Sequence, residues 1–238
     1  MSAAQPFPRR HADGIARAFL PARWWGNRYN YYYAREKLAS DPLYPGVLAA
    51  LRGSGAPLLD LGCGMGLLAH ALRRDGQALA YRGVDNDAAK IESGRIAAQR
   101  SGLDGVRFDV VDLAREWPAH HGSVAILDVL QFLPKEAQRR LLDGVVAMLS
   151  ADGALVIRAA LDDGSRRDSA TRLTDRFSHL VGWMRSVPVH YPNEAELRGT
   201  LEDAGLTVEF APLYGNTPFN HWLIVARRAA RSPLDKED

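Results

Sequence analysis

The chain reads as an α/β protein of three layers: a mostly parallel sheet of seven strands with helices on both faces and an antiparallel strand at the end, plus an N-terminal helical extension. Three observations predict this. From residue 58 onward, short apolar runs alternate with helix-length amphipathic segments, the pattern of a parallel sheet. Four of those runs finish on or beside an aspartate: Asp60, Asp85, Asp112 and Asp128. The first run passes directly into a loop with glycine at alternate positions, Gly62, Gly64 and Gly66.

The elements follow in order. Residues 58–61 form the first strand, and the helix at 67–74 buries Leu67, Leu68, Ala71 and Leu72. The second strand, 80–84, ends at Asp85, and a helix at 88–99 stops near Gly102. The third strand, 106–111, ends at Asp112, and the fourth, 124–127, at Asp128. Pro134 opens a helix where its missing N–H does no harm. That helix carries Leu141, Leu142, Val145, Val146 and Leu149 at helical spacing and turns out at Asp152-Gly153. Residues 154–157 are the fifth strand. Asn193 with Glu196 three residues on reads as a capping box for a helix with Leu197 and Leu201 that stops at Gly205. Strands at 206–210 and 222–226 have only the turn-rich stretch 211–218 between them, so they run antiparallel.

In a parallel sheet ligands bind beyond the carboxyl ends of the strands. The four aspartates fall there in register with the glycine loop. Glycines 62, 64 and 66 lack a Cβ, so the backbone can turn sharply and lie close to a ligand, with helix amides pointing at it. The spacing G-x-G-x-G differs from the G-x-G-x-x-G that cradles a pyrophosphate.

At 238 residues the chain suits one α/β domain with an extension. Its net charge of +2 gives no overall pull toward nucleic acid. The charge is uneven: Arg9, Arg10, Arg17, Arg23, Arg28, Arg35 and Lys37 face only Asp13 and Glu36 in the first forty residues. A single cysteine, Cys63, excludes an intramolecular disulfide and a multi-cysteine zinc site; no metal is expected. With no apolar leader core and no run near the roughly 20 apolar residues of a membrane span, a cytoplasmic protein is expected.

Four segments carry a family resemblance: Leu58-Leu-Asp-Leu-Gly-Cys-Gly-Met-Gly66, Gly83-Val-Asp-Asn86, Val106-Arg-Phe-Asp-Val-Val-Asp-Leu113 and Asp128-Val-Leu-Gln-Phe-Leu133. Together with the antiparallel closing strand, they resemble the Rossmann-like class I S-adenosylmethionine-dependent methyltransferases over residues 45–228. The resemblance implies S-adenosyl-L-methionine as cofactor and S-adenosyl-L-homocysteine as product. It implies that Asp60 orients the loop and the cofactor's amino group, and that Gly62, Cys63, Gly64 and Gly66 pack against its methionine part. Asp85 would accept the ribose hydroxyls, Asn86 would lie near the adenine, and Asp112 and Leu113 would bond its ring edge. Leu127 and Asp128 would line the point where the sulfonium reacts. Relatives often carry His where Phe132 stands. By the same resemblance, 1–45 is a helical lid, 46–228 the cofactor domain with a substrate wall at 158–192, and 229–238 a flexible tail.

Acceptor information lies in two places. Six aromatics fall between Trp24 and Tyr33. Trp25, Tyr29, Tyr32 and Tyr33 share a helical face, which is either a packing face or a lid whose rings attract a sulfonium. The 158–192 stretch holds Arg158, Arg166, Arg167, Arg172, Arg176 and Arg185, either a solvated face or partners for an anion. His190, Tyr29 and Tyr32 are the candidates for removing an acceptor proton. His179 is a second candidate base, while His11, His70, His120 and His121 read as surface positions.

The block Tyr32-Tyr-Ala-Arg-Glu-Lys-Leu38, with Asp41-Pro-Leu-Tyr-Pro45 and Thr217-Pro-Phe-Asn220, is similar to methyltransferases associated with aryl polyene and xanthomonadin-type pigment gene clusters. That similarity implies an aromatic or polyketide-like acyl acceptor, free or presented by an acidic acyl carrier protein. Two other readings stay open: an RNA methyltransferase, supported by the basic N-terminus, and a non-catalytic cofactor-binding scaffold.

Overall fold

Leucine-, valine- and isoleucine-rich runs build the sheet in a computed structural model that describes residues 4–113, 115–162, 188–215 and 220–229. The strands are β1 Leu58–Leu61, β2 Tyr81–Asp85, β3 Val106–Val110, β4 Ser123–Leu127, β5 Ala154–Ala160, β6 Leu206–Pro212 and β7 His221–Arg228. Their order is β3-β2-β1-β4-β5-β7-β6. β7 alone is reversed, antiparallel to both β5 and β6. Chain order changes direction between β1 and β4, the place where such sheets open a crevice for ligands.

Side chains alternate across each strand, and this sorts the core into two layers. Leu58, Ala125, Val156, Leu223 and Val225 face one layer; Leu59, Val124, Ile126, Leu155, Ile157 and Ile224 face the other. The first layer is closed by α1 (Arg9–Ala16), α2 (Tyr29–Ser40), α3 (Leu43–Leu51), α4 (Leu67–Arg74) and α5 (Ala88–Arg100). The second is closed by α6 (Lys135–Met148) and α7 (Glu194–Asp203). Asp87 starts α5 by accepting from the Ala89 and Lys90 amides.

The N-terminal helices belong to this packing. Ala12, Ile15, Phe19, Ala34 and Leu38 are buried in the same cluster as Leu58 and Tyr81. Polar ties add to it: Tyr31 Oη donates to Asp13 at 2.6 Å, Asn30 Nδ2 to Ser93 Oγ on α5 at 3.0 Å, and Arg100 to the Leu20 carbonyl.

Four expectations change. The shared face of Trp25, Tyr29, Tyr32 and Tyr33 is no packing face, because all four rings stay about half exposed or more while Ala34 and Leu38 make the core contact of α2. His70 is buried, packed against Phe19, with its pKa lowered to about 4 by burial. β5 runs on through Ala160, so Arg158 is a strand residue and not part of an insertion. At α7, Asn193 caps the Ala195 amide, but Glu196 takes the Lys135 ammonium at 2.7 Å instead of completing a capping box. The predicted features at 166–185, including His179, lie outside the described residues, as does 230–238.

Candidate active site

A cleft of about 1440 Å³ opens at the carboxyl ends of β1, β2 and β4, under the first turns of α2. Its floor is the glycine loop. Gly62, Gly64 and Gly66 all have left-handed backbones, at φ +76°, +57° and +74°. Each has a different reason to lack a side chain. A Cβ on Gly62 would stand 2.5 Å from Val129 Cγ2, and one on Gly66 would strike the Phe108 ring. A Cβ on Gly64 would meet no protein atom within 4 Å; it would point into open space beside the cleft.

Asp85, at the end of β2, holds the loop. Its Oδ2 accepts the Gly64 amide at 2.9 Å and its Oδ1 accepts the Asp87 amide at 2.9 Å. A carboxylate offers about four acceptor sites, so both oxygens retain lone pairs toward the cleft they line. Asn86, Asp112 and Leu113 line the same end.

Asp60 is buried beneath the loop on the face toward α4. Tyr81 Oη donates to its Oδ2 at 2.6 Å, while Oδ1 is buried with no partner among the described residues. Burial raises its pKa to about 7, opposed by the tyrosine hydrogen bond. Burial likewise pushes the Cys63 thiol up, so this loop cysteine is no thiolate nucleophile.

At the opposite end Leu127 and Asp128 close β4. Asp128 has φ +59°, the one left-handed non-glycine among the described residues; aspartate tolerates this conformation better than most residues. Its carboxylate is bonded by Arg158 Nη1 and lies 3.4 Å from Lys37 Nζ. Arg158 Nη2 reaches Asp41 at 3.1 Å and His221 Nδ1 at 2.7 Å, and Lys37 Nζ reaches Asp41 at 2.7 Å. Arg158 is 2% exposed. Two cations thus meet two carboxylates in a charge-balanced cluster, buried at Arg158 and Asp41 and reaching the cleft at Lys37 and Asp128. Burial opposes ionisation of Asp128, but Arg158 and Lys37 outweigh it and hold the carboxyl well below the usual range. Arginine has no acceptor, so His221 must receive its hydrogen bond on Nδ1 and carry its own proton on Nε2. Burial and the adjacent guanidinium agree with this, lowering the His221 pKa to about 3.

Tyr29, Tyr33 and Lys37 of α2 form the wall facing the glycine loop. Tyr33 lines the cleft, where desolvation raises the pKa of its phenol. Tyr32 and His190 do not line the cleft. The Tyr32 ring is turned outward, edge-on to Tyr31 and beneath Arg35. His190 is held by its backbone: its N–H donates to the Gln131 carbonyl and its carbonyl accepts from Gln138 Nε2. Sequence reasoning missed the charge cluster. The available signal was an arginine inside the apolar run Leu155-Val-Ile-Arg-Ala-Ala160, since a buried charge demands partners.

Comparison with known proteins gives the family. Residues 52–167 match the family described as methyltransferase domain. Ubiquinone biosynthesis O-methyltransferase of Xylella fastidiosa (strain M23) is 32% identical over 188 residues, 76% of this chain and 72% of that protein. The protein of the same name from Klebsiella pneumoniae subsp. pneumoniae is 28% identical over 128 residues, 52% of this chain and 51% of its own length. The chain thus spans about half the length of the first curated relatives it matches. Among solved structures, magnesium protoporphyrin IX methyltransferase from Synechocystis PCC 6803 with bound SAH superposes with a TM-score of 0.63 at 19% identity, covering 90% of this chain and 92% of that one. That likeness concerns the fold.

Proposed function

We propose, from the premise that this chain belongs to the class I S-adenosylmethionine-dependent methyltransferases, that it transfers a methyl group to an oxygen of a small aromatic or acyl acceptor. The observation that carries the reading is the cleft at the carboxyl ends of the strands. It has a glycine loop and three strand-end carboxylates at one end and a tyrosine wall at the other. The residues fit the cofactor on two counts. The space beside Gly64 is open on the cleft side and leaves room for a ligand, and the orphan oxygen of Asp60 is an acceptor suited to an ammonium group. In this reading Asp60, Gly62, Cys63, Gly64 and Gly66 hold the methionine part, Asp85 the ribose, and Asn86, Asp112 and Leu113 the adenine. Leu127 and Asp128 sit beside the reacting centre. The cofactor supplies an electrophilic methyl group.

This chain's own contribution is arrangement. His221 is a hydrogen-bond donor, and Asp128 is too firmly paired to be a strong base. Tyr29 and Tyr33 are left to orient the acceptor oxygen, and closeness supplies most of the acceleration. The O-methyltransferase names of the curated relatives support oxygen as the methylated atom. Label transfer from S-adenosylmethionine to a panel of phenols and aryl or polyenyl acids tests the reading. Tight cofactor binding with no transfer to any of them would instead favour a non-catalytic scaffold. Presentation by an acidic acyl carrier protein is supported by the basic N-terminus and by the arginines of 166–185.

Two measurements probe the cofactor end. Asp85→Ala is expected to weaken S-adenosylhomocysteine binding by about 1.5–3 kcal/mol, the range for hydrogen bonds to a charged group. Unchanged affinity in a calorimetric titration would remove Asp85 from the site. Asp60 gives a pH signature. Its carboxyl titrates near 3.8 when unfolded and about 7 in the fold, so the native state keeps a proton that the unfolded chain releases. Stability from this group is full below pH 4 and is lost as pH rises through 7, by up to about 4 kcal/mol. Asp60→Asn is therefore expected to gain on the wild type progressively from pH 4 to 8 in denaturant melts without cofactor. A pH-independent difference would contradict this.

A further inference from the structure

Between Asp13 and Glu36 the chain has no acidic residue but four arginines, Arg17, Arg23, Arg28 and Arg35. The same stretch turns two indoles into solvent, Trp24 at 77% and Trp25 at 64% exposure. The rings meet edge to face at 5.4 Å. Arginines are interleaved with them. Arg23 lies over the Trp25 ring at 5.9 Å, and Arg28 donates to the Trp24 carbonyl at 3.2 Å. Arg17 and Arg35 are paired with Asp13 and Glu36, whereas Arg23 and Arg28 have no carboxylate partner among the described residues. Asn27 fixes the turn by accepting the Tyr29 amide at 2.8 Å, so the patch leads straight into the helical turn that borders the cleft.

Packing does not account for these side chains, because neither indole is covered. Their chemistry is that of a lipid–water boundary. Indoles settle at headgroup depth, where one end is apolar and the other wet. Guanidinium groups bind lipid phosphates, and an anionic leaflet attracts them further. An acidic protein would also satisfy the arginines and cover the indoles, and it is therefore the competing occupant that the test includes.

We propose that the turn at residues 23–28 docks on an anionic membrane surface, with Trp24 and Trp25 among the headgroups and Arg23 and Arg28 on lipid phosphates. Docking sets the mouth of the cleft, at Tyr29 and Tyr33, against the bilayer. An acceptor with an apolar tail then passes from lipid to cleft without crossing water. This delivery step rests on the methyl-transfer reading; the docking itself does not. No described helix is long and apolar enough to cross a membrane, and surface docking needs none.

The test uses the full chain with phosphatidylcholine vesicles, with or without roughly one third phosphatidylglycerol, by co-sedimentation and tryptophan emission. Binding and a blue shift are expected with the anionic vesicles, weakening on added salt. Trp24→Ala/Trp25→Ala and Arg23→Gln/Arg28→Gln are each expected to weaken binding about tenfold or more. Both are expected to titrate S-adenosylhomocysteine like the wild type, which shows that they are folded. Absence of binding to anionic vesicles, or wild-type binding by both variants, overturns the proposal. A response to an acidic carrier protein and none to vesicles also overturns it and assigns the patch to a protein partner. Failure to methylate any acceptor leaves docking intact and counts only against the delivery step.

Discussion

Gly64→Val is expected to abolish titration of S-adenosylhomocysteine, a loss of more than about 100-fold, while the chain stays folded. The left-handed backbone at Gly64 makes valine cost the fold about 1–2 kcal/mol. That is within the usual stability margin of about 5–15 kcal/mol. The rest of the penalty falls on whatever occupies the open space, because no protein atom stands within 4 Å of the new Cβ. The neighbouring glycines provide the contrast. Gly66→Ala drives a methyl into Phe108, and Gly62→Ala drives one into Val129, so both should lower the unfolding midpoint before any ligand is added. A folded Gly64→Val protein that binds normally would move the cofactor out of this loop.

Arg158→Leu is expected to cost about 3–5 kcal/mol in urea unfolding at neutral pH, the penalty for stranding buried charges. Removing the guanidinium leaves Asp41 and Asp128 with only Lys37 between them, and His221 Nδ1 without its donor. Arg158→Lys is the informative companion. It restores one charge but cannot reach Asp128, Asp41 and His221 together, so its loss should fall between leucine and wild type. A loss below about 1 kcal/mol for the leucine variant would mean the cluster is hydrated and not structural.

The sheet was legible because its signals are local. Strand runs, terminal aspartates and alternate glycines each sit within a few residues, and all seven strands lie within three residues of where periodicity puts them. The cofactor end of the cleft follows from the same signals, since strand ends bring Asp60, Asp85 and Asp112 together without long-range information. The charge cluster at the other end was not legible. Lys37 and Asp41 are neighbours at the end of α2, but Asp128, Arg158 and His221 come from three other places in the chain, and only tertiary contact joins the four. His190 looked well placed by its position before α7, yet the Gln131 carbonyl and the Gln138 side-chain amide hold its backbone, and it does not line the cleft. The aromatics of 24–33 have helical spacing, but the helix begins only at Tyr29, so Trp24 and Trp25 never join its face.

The reversed strand β7 also bears on biosynthesis. Ile157 of β5 pairs with Ile224, which leaves the ribosome long after β5 itself. Until His221–Arg228 emerge, the edge of β5 from Ala154 to Ala160 carries unpaired backbone groups on an apolar strand. At roughly 5–20 residues per second this lasts for seconds. A bare edge is a template for pairing with another nascent chain. A premature stop codon before residue 221 should therefore yield insoluble product instead of a shortened enzyme, even though every glycine and strand-end acid of the loop would already have been translated.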